Sequence, residues 1–479
     1  MPRIEFSTDG IRGIVEEWPF VPHIVVRIGQ ALGQYISGRP QRERPFVVIG
    51  RDTRPSGTII VHCLEAGLRD QGVDVIDLGV MTTPGVAFLT RRLQADLGVI
   101  VSASHSPFEY NGIKLLRHNG LRLQREEEIE IEALADYCIA QAPNLTADPG
   151  QRTEGQHLVE NYIQDHVAWC PARSLEGFRI VLDCADGAAA RVAPEAFQRL
   201  GASAVAVNCA AEGRTINYRC GSEHVREHPQ DLMERMRQHG AAYGFAFDGD
   251  GDRLVVVDSG GRVFDGSDLL FVLAMYYHSQ NLLRENAVVT TSLANRGLEE
   301  ALSDAGIQIV YTKKGDRNLE AAMWAGDYLL GGEVSGNIII NDGHHTAADA
   351  IYTALVLAGV LARDPDIGLM DLAAPLQKHP QVTISFPMTS TITMEQRESL
   401  DSQIREKEAS LGKGSRILYW SASTEPGTFR VMVEGSRRST LDEASKMAHA
   451  IRQLIQQAAE PKAPDITVPG TDTESGAVM

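Results

Sequence analysis

Three stretches of the chain share one pattern of hydrophobic and polar positions. Each has apolar residues at helical spacing, then a glycine, then a run of β-branched residues typical of a strand. The stretches span residues 68–79, 197–208 and 302–313. Gly72, Gly201 and Gly306 lie where a helix would end in left-handed backbone, a conformation that glycine adopts without steric cost. The repetition predicts three similar α/β domains in series.

Strand-like runs divide the chain further. In the repeated domains we expect strands at residues 46–49, 73–78, 97–102, 178–184, 202–208, 243–247, 254–258, 288–291 and 307–312, and a glycine-punctuated one at 331–340. After about residue 369 the order becomes strand, helix, strand, strand, helix, at 382–386, 394–411, 416–420, 428–434 and 441–458, which predicts a C-terminal α+β domain. The predicted domains are 1–153, 154–256, 257–369 and 370–460, and the composition of the tail at 461–479 predicts disorder.

Length and charge restrict the class of protein. At 479 residues the chain is long enough for about three or four domains of ordinary size. Its formal net charge of −18 argues against general binding to nucleic acids or anionic membranes, so a phosphate ligand would need a local basic pocket. The longest apolar stretch, residues 350–362, is too short to cross a bilayer and predicts a buried helix.

The amino terminus and the cysteines favour a cytoplasmic protein. The first residues lack the apolar core of a secretory signal. The cysteines are scattered, with no CxxC pair for zinc or redox chemistry, at Cys63, Cys138, Cys170, Cys184, Cys209 and Cys220. We expect them to be reduced, small residues of the core.

The segment 247–254, FDGDGDRL, is the strongest candidate for chemistry. It places Asp248, Asp250 and Asp252 at alternate positions between two strand-like runs. Adjacent carboxylates raise one another's pKa, so the cluster indicates a hard divalent cation that neutralises it. A calcium EF-hand loop is excluded, because it requires glycine at the position of Arg253 and a bidentate glutamate at that of Ser259.

The segment 102–114, SASHSPFEYNGIK, is expected to be a polar loop after a strand. Ser104 and His105 are neighbours in it, but adjacent side chains usually point apart and the GxSxG elbow is absent. A phosphorylated serine beside a metal ion therefore fits better than a hydrolase dyad. Four further runs are candidate anion- or hydroxyl-binding loops around an interdomain cleft, at residues 7–13, 312–317, 331–337 and 423–428.

These motifs occur together and in a fixed order: TDGIRG, SASH with NGIK, DGDGDR, KxGDR, GGExSG, and TEP with RVMVEG. Over about residues 4–458 the chain resembles the α-D-phosphohexomutase family, nearest to the bacterial phosphoglucosamine mutase type, with phosphomannomutase/phosphoglucomutase as the sister type. The resemblance implies four domains in a heart-shaped arrangement around a central cleft. It also implies an enzyme that moves phosphate between C6 and C1 of a hexose or hexosamine, through a phosphoserine and a sugar bisphosphate.

The resemblance assigns roles by position. Ser104 would be the phosphoserine, with His105 and Lys114 as further catalytic residues and Lys114 in acid–base work. Mg²⁺ would be held by Ser104, Asp248, Asp250 and Asp252. The implied substrate-binding residues are Arg12, Arg253, Lys313, Glu333, Ser335, Asn337, Ser423 and Thr424. The implied partners are a small phosphosugar and its bisphosphate, bound by a monomer or homodimer, with no nucleic acid or membrane.

The sequence departs from the family in two recognition loops. The family's sugar loop reads GEQSGH or GEMSGH, whereas this chain has Val334 and Asn337. Asparagine exchanges no proton near neutral pH, so any acid–base duty would fall to other residues: Lys114, His105, His344 or His345. In the terminal phosphate loop Trp420 replaces an arginine, a loss on the order of 1.5–3 kcal/mol of phosphate binding unless Arg430 compensates.

Three functions remain open from the sequence. A magnesium-dependent phosphosugar mutase is favoured, with glucosamine phosphate as the first substrate and mannose or glucose phosphate next. The two altered loops motivate a second hypothesis, a catalytically weak paralogue with a regulatory or binding role. The aspartates alone would also suit a metal-dependent phosphatase.

Overall fold

The computed structural model describes residues 2–7, 9–39, 42–142, 146, 148–210, 212–388, 392–421 and 427–459. The chain divides into two compact units, one ending at Lys378 and one beginning at His379. The first unit contains three mixed sheets and the second an antiparallel sheet. Within the described residues, no helix combines the length and apolar character needed to span a bilayer.

The first sheet has six strands. They are β1 Ile11–Ile14, β2 Phe46–Arg51, β3 Asp74–Val80, β4 Leu97–Val101, β5 Tyr110–Arg117 and β6 Arg152–Glu154. In the order β1-β5-β4-β2-β3-β6, the last four are parallel, whereas β5 and β1 run antiparallel to their neighbours. The helices of this region are α1 Pro22–Ser37, α2 Pro55–Arg69, α3 Thr83–Leu93 and α4 Arg125–Ala140.

The second sheet has five strands. They are β7 Arg179–Asp183, β8 Ser203–Val207, β9 Tyr243–Phe247, β10 Leu254–Asp258 and β11 Val263–Phe264. In the order β11-β10-β9-β7-β8, the strands β9, β7 and β8 are parallel and β10 turns back antiparallel to β9. Its helices are α5 Val159–Trp169, α6 Ala193–Arg199, α7 Gly221–Glu227 and α8 Gln230–His239.

The third sheet has four strands. They are β12 Ala287–Thr291, β13 Gln308–Thr312, β14 Leu330–Gly332 and β15 Ile338–Ile340, in the order β13-β12-β14-β15. β14 and β15 pair antiparallel, so the expected strand at 331–340 is in fact a hairpin. Its helices are α9 Gly266–Ser279, α10 Arg296–Asp304, α11 Asp316–Ala325, α12 Ala350–Ala362 and α13 Leu369–Ala373.

One hydrophobic core runs through all three of these regions. It joins Val48 of the first sheet, Leu182 and Phe245 of the second and Val288 of the third into one cluster of buried side chains. Helix α12 belongs to the same core and is buried over nearly its whole length, which confirms the predicted buried helix. The continuous core explains why the three repeated regions form a single compact unit.

The second unit has its own core. Its strands are β16 Gln381–Pro387, β17 Arg416–Ser421 and β18 Thr428–Glu434, with β18 in the centre of the sheet. Helices α14 Met394–Ser410 and α15 Leu441–Ala459 pack against the sheet. The core includes Ala444, Ala448, Ile451 and Ile455, which share one face of α15. These elements confirm the expected order. The predicted disordered tail, 461–479, lies outside the described residues.

The structure confirms some of the local predictions and contradicts others. Gly72, Gly201 and Gly306 have φ values of 80°, 87° and 75°, which confirms their left-handed conformation. The expected loops at 102–114 and 7–13 are partly wrong, because β5 and β1 occupy residues 110–117 and 11–14. The cysteines are free, but the expectation that all lie in the core is wrong, since Cys209 is exposed and Cys63 half-buried.

Candidate active site

The β4–β5 loop and the β9–β10 loop bring Ser104 and Asp248 together. The hydroxyl of Ser104 donates a hydrogen bond to Asp248 Oδ2 at 2.6 Å, although 144 residues separate them in sequence. Ser104 has a φ of 50°, and both side chains are buried. A non-glycine residue in left-handed backbone costs free energy, and such strain is concentrated at functional sites.

The three aspartates of the β9–β10 loop form a compact group, here called the aspartate cluster: Asp248, Asp250 and Asp252. Each offers an oxygen within 4.8 Å of the others, and all three are buried. Asp248 Oδ1 accepts hydrogen bonds from three successive backbone amides, Gly251, Asp252 and Arg253, at 3.1–3.2 Å. Oδ1 of Asp250 and of Asp252 is buried without a hydrogen bond. These free oxygens are the donors that a hard cation such as Mg²⁺ prefers.

Lys114 lies on β5 and balances part of this charge. Its ammonium is 2.8 Å from Asp250 Oδ2 and 3.6 Å from Asp252 Oδ2. Burial acts to lower the pKa of Lys114, but the two carboxylates together raise it by more, so the net shift of the pKa is upward. Burial likewise acts to raise the pKa of Asp250, yet Lys114 and the Thr83 hydroxyl hold it below its usual value.

The other two aspartates hold protons more tightly than usual. Burial, with the charges of Asp252 and Asp250, raises the pKa of Asp248 well above its ordinary value. Burial and the neighbouring Asp250 raise the pKa of Asp252 to about 6. Lys114 and Arg253, whose Nε lies 3.9 Å from Asp252 Oδ1 and which also pairs with Glu223, do not balance three carboxylates. A divalent cation would neutralise the remaining negative charge.

Cations surround the Ser104 loop despite the negative net charge of the chain. Arg12 Nη1 lies 3.4 Å from Ser106 Oγ in that loop. Arg253 pairs with Glu223 at 2.5 Å. The fields of Arg253 and Arg12, together with burial, hold the pKa of His105 well below its usual value, so its imidazole is neutral at neutral pH. This is the local basic pocket that a phosphate ligand would require.

Sequence reasoning missed Arg54, which holds the Ser104 loop in place. Its side chain is completely buried and pairs with Asp52 at 2.9 Å. The same guanidinium donates to the backbone carbonyls of Ser104 at 2.9 Å and Ser106 at 2.7 Å, and to those of Pro107 and Tyr110. The five donors of a guanidinium, held in a rigid fork, allow these contacts. The charged run RDTR, which begins at the last residue of β2, is the sequence signal for them.

Two further contacts were not anticipated from the sequence. Asn217 Nδ2 donates to the carbonyl of Ser104 at 2.8 Å and of Ser106 at 3.2 Å. Thr83, at the start of α3, donates its hydroxyl to Asp250 Oδ2 at 2.6 Å. Both residues are far from the loops in sequence, so only the folded chain reveals them.

The β14–β15 turn, here called the 333–337 loop, adjoins the aspartate cluster. Asn337 pairs with Arg253 as an isolated bridge, and its Nδ2 lies 3.4 Å from the carbonyl oxygen of Asp252. Ser335 Oγ donates to Asn337 Oδ1 at 2.8 Å. Burial and the nearby Asp316 raise the pKa of Glu333 to about 7. The amide of Asn337 is thus engaged within the loop and with the backbone beside the cluster.

Other predicted site residues have different positions. Lys313 is exposed at the end of β13. His345 lies near Asp165 and Asp342, and His344 stacks on Trp169. Ser423 and Thr424 lie outside the described residues. In the second unit, Trp420 and Arg430 are direct cross-strand partners on β17 and β18.

Family models match most of the chain. They describe phosphoglucomutase/phosphomannomutase: alpha/beta/alpha domain I matches residues 3–138, domain II residues 160–261 and domain III residues 265–379. Phosphoglucosamine mutase of Symbiobacterium thermophilum is 38% identical over 458 residues, covering 95% of this chain and 100% of that protein. Phosphoglucosamine mutase of Staphylococcus aureus (strain JH9) is 35% identical, covering 94% of this chain and 98% of that protein.

Solved structures agree in fold. A phosphoglucomutase/phosphomannomutase family protein from Burkholderia thailandensis superposes with a TM-score of 0.77 at 22% identity, covering 95% of this chain and 97% of that one. N-acetylphosphoglucosamine mutase of Aspergillus fumigatus, solved with GlcNAc-6P and magnesium, superposes with a TM-score of 0.64 at 16% identity, covering 96% of each chain.

Proposed function

Because this chain belongs to the phosphoglucomutase/phosphomannomutase family and is a phosphosugar mutase, an intramolecular phosphotransferase, we propose that it is specific for glucosamine phosphate and works through a phosphoserine at Ser104. The observation that carries the proposal is the 2.6 Å contact between Ser104 Oγ and Asp248 of the aspartate cluster. It joins a hydroxyl from one loop to a cation-binding group from another. The curated relatives named phosphoglucosamine mutase support the choice of substrate.

The aspartate cluster would hold Mg²⁺ together with the phosphate on Ser104. When bound, that ion would neutralise charge on the transferring phosphoryl group. Arg12 and Arg253 supply further positive charge, and arginine can contact phosphate oxygens in a bidentate manner. Arg54 and Asn217 hold the backbone of the Ser104 loop, so the hydroxyl is positioned before substrate arrives.

The transfer itself is a balanced exchange. A sugar hydroxyl forms a bond to phosphorus, the bond from phosphorus to Ser104 Oγ breaks, the sugar hydroxyl loses a proton and Ser104 gains one. His105 Nδ1 lies 3.3 Å from Ser104 Oγ, close enough to exchange a proton with that oxygen. Lys114 keeps its proton and serves as a cationic donor, because the aspartates raise its pKa. The second half-reaction reverses these steps from the other phosphate of the bisphosphate.

Sugar recognition would fall to the 333–337 loop. Glu333 and Ser335 offer an acceptor and a hydroxyl for ring hydroxyls, and a carboxylate that accepts two hydrogen bonds distinguishes their orientation. Asn337 would hold the loop against the cluster instead of moving a proton. Lys313, Ser423 and Thr424 are proposed as further phosphate or sugar ligands.

The altered loops support a second candidate function. Asn337 and Trp420 stand where the family has histidine and arginine, which favours a catalytically weak regulator; phosphomannomutase/phosphoglucomutase specificity is the alternative substrate class. A coupled assay decides between them. Glucosamine, N-acetylglucosamine, mannose and glucose 1-phosphates are each supplied with the matching bisphosphate and Mg²⁺. We expect the highest kcat/KM for glucosamine phosphate, while background turnover for every sugar would support the regulator.

A further inference from the structure

A second group of buried polar residues lies apart from the aspartate cluster. His166, His345 and Asp349 each offer one ligand atom within 4.8 Å of the others, and all three are buried. His166 lies on α5, Asp349 accepts a hydrogen bond at the start of α12, and His345 lies four residues before Asp349. We call this group the histidine cluster. The proposed sugar-phosphate chemistry uses none of its residues.

The proton on His166 can be placed from its partners. His166 Nδ1 is 3.0 Å from the backbone carbonyl of Tyr162, which can only accept, so Nδ1 carries the hydrogen. In the neutral ring, Nε2 then presents a lone pair. That nitrogen is buried without a hydrogen bond and lies 3.1 Å from Asp349 Oδ2. A lone pair facing a carboxylate is repulsive, so either the ring carries a second proton or a metal cation lies between the two groups.

His345 repeats the arrangement. Its Nδ1 lies 3.3 Å and 3.2 Å from the two oxygens of Asp342. Asp342 already accepts from two backbone amides and from the Tyr352 hydroxyl, so it acts as an ionised acceptor and Nδ1 of His345 is the donor. Nε2 of His345 is again buried without a hydrogen bond, 3.5 Å from Asp165 Oδ2, which also has none.

The negative charge of this region lies next to histidine side chains. Three carboxylates surround the two imidazoles: Asp165, Asp342 and Asp349. Among the described residues, the ion pairs of these carboxylates involve histidines only, with no lysine or arginine. Buried carboxylates require a compensating cation.

Geometry identifies the cation. Ligand atoms of a tetrahedral zinc site lie about 3.3 Å apart, because each is about 2.0 Å from the metal. The His166 Nε2–Asp349 Oδ2 distance of 3.1 Å is close to this spacing, and the ligand atoms of all three residues of the histidine cluster lie within 4.8 Å of one another. We propose that His166, His345 and Asp349 supply three ligands of a divalent transition-metal ion of the zinc type.

The surrounding hydrogen bonds fit such a site. Metal-binding histidines commonly donate their other ring hydrogen to a carbonyl or carboxylate, as His166 and His345 do to Tyr162 and Asp342. Asp349 Oδ2 also accepts from the Tyr162 hydroxyl at 2.6 Å. The metal would connect α5 to the segment before α12. The first residue of α12, Ala350, donates its backbone amide to the Gly251 carbonyl in the β9–β10 loop. The role of the metal is structural, and the site differs from the aspartate cluster in its nitrogen ligands, which Mg²⁺ disfavours.

Cobalt is a suitable probe, because it occupies zinc sites and absorbs visible light. The full chain is stripped with chelator, loaded with a small excess of Co²⁺, desalted and analysed for bound metal. We expect about one Co²⁺ per chain, with the absorption of a four-coordinate site. Asp250→Asn, which disables the aspartate cluster, should keep this ion and its spectrum. His345→Asn should lose both, and the matched surface control His449→Asn should keep both.

A second measurement does not depend on the variants folding. X-ray absorption of the zinc-loaded wild type should show nitrogen and oxygen ligands that include two imidazoles. Zinc should also raise the thermal midpoint of the wild type but not that of a folded His345→Asn variant. The proposal is overturned if the wild type retains no Co²⁺ after loading, in which case protons on both imidazoles balance the charge. It is equally overturned if Asp250→Asn abolishes binding or a folded His345→Asn retains it.

Discussion

The aspartate cluster and the 333–337 loop are adjacent, yet they differ in how tightly their chemistry is fixed. The aspartate cluster is buried and bound to Ser104, Lys114 and Thr83, with three backbone amides on Asp248. In the 333–337 loop, two side chains, Ser335 and Asn337, bond to each other. The cluster would meet the phosphoryl group, which every substrate of such an enzyme shares. The loop would meet the sugar, which differs between substrates.

The difference shows where sequence change is tolerated. A buried carboxylate that loses its partner costs several kcal/mol, so each residue of the cluster constrains the others. A loop residue such as Asn337 can replace an ionisable one if its amide finds hydrogen bonds, as it does here. Substitutions in the loop should therefore change substrate preference, and substitutions in the cluster should remove catalysis.

Ser104→Ala tests the cluster side most severely. Without a hydroxyl to carry the phosphoryl group, turnover should fall by about 10⁴-fold or more. The control Ser106→Ala, in the same loop, should stay within about tenfold of the wild type. The coupled mutase assay measures both, and a Ser104→Ala enzyme with wild-type activity would refute the phosphoserine.

Asp250→Asn removes one charge from the cluster without changing side-chain size. Mg²⁺-dependent turnover should fall on the order of 10²–10³-fold, because a ligand and a counter-charge for Lys114 are both weakened. Titration of Mg²⁺ in the activity assay measures the change. Asp258→Asn, at the far end of β10, should leave the Mg²⁺ dependence unchanged. Equal dependence in both variants would exclude Asp250 from the site.

Arg54→Lys tests whether the Ser104 loop needs its arginine. Lysine keeps the charge but cannot reach the four carbonyls and Asp52 together, so the free energy of unfolding should fall by about 2–4 kcal/mol. Chemical denaturation measures this loss, and kcat should decrease with it. The exposed control Arg405→Lys should change neither quantity, and an unchanged Arg54→Lys would show that the loop is held otherwise.

Arg430→Met addresses recognition in the second unit. If Arg430 takes over from the arginine that Trp420 replaces, its loss should raise KM about 10- to 100-fold with little change in kcat. The exposed Arg405→Met is the control. If KM is unchanged in Arg430→Met, Arg430 does not bind the substrate phosphate.

Glu333→Gln should have the smallest effect on activity, and it tests whether Glu333 makes the substrate KM depend on pH. The pKa of Glu333 is raised to about 7, so its ionised fraction, and with it the acceptor for sugar hydroxyls, increases as pH rises from 6 to 8. Relative to the variant, the wild-type KM for glucosamine 6-phosphate should fall by up to about tenfold over this range. The comparison cancels titration of the substrate itself. Parallel KM profiles would remove Glu333 from sugar binding.

Much of the fold was accessible from the sequence. Apolar runs and the glycines after α2, α6 and α10 predict the parallel strands, because helix ends and buried strands have local signatures. The antiparallel strands β1 and β5 were missed, since their sequences contain glycine, arginine and lysine and resemble loops. Their strand character comes from pairing with each other and with β4, which no local pattern encodes.

The candidate site could also be predicted only in part from the sequence. The aspartate cluster can be recognised from the sequence, because three carboxylates in one turn need a cation. Arg54 cannot, because its carbonyl partners lie about fifty residues away and carbonyls have no sequence signal. The histidine cluster likewise joins residues 166 and 345, whose proximity depends on the packing of α5 near α12.

A single-turnover experiment tests the phosphoserine most directly. Enzyme carrying phosphate on Ser104 is mixed with one equivalent of glucosamine 6-phosphate and Mg²⁺, quenched within one turnover, and analysed by intact mass and sugar chromatography. The proposed chemistry predicts that the protein loses one phosphoryl group while an equal amount of glucosamine bisphosphate appears. Formation of glucosamine 1-phosphate with no loss of phosphate from the protein and no bisphosphate before the turnover is complete would contradict it, as would release of the phosphate as inorganic phosphate.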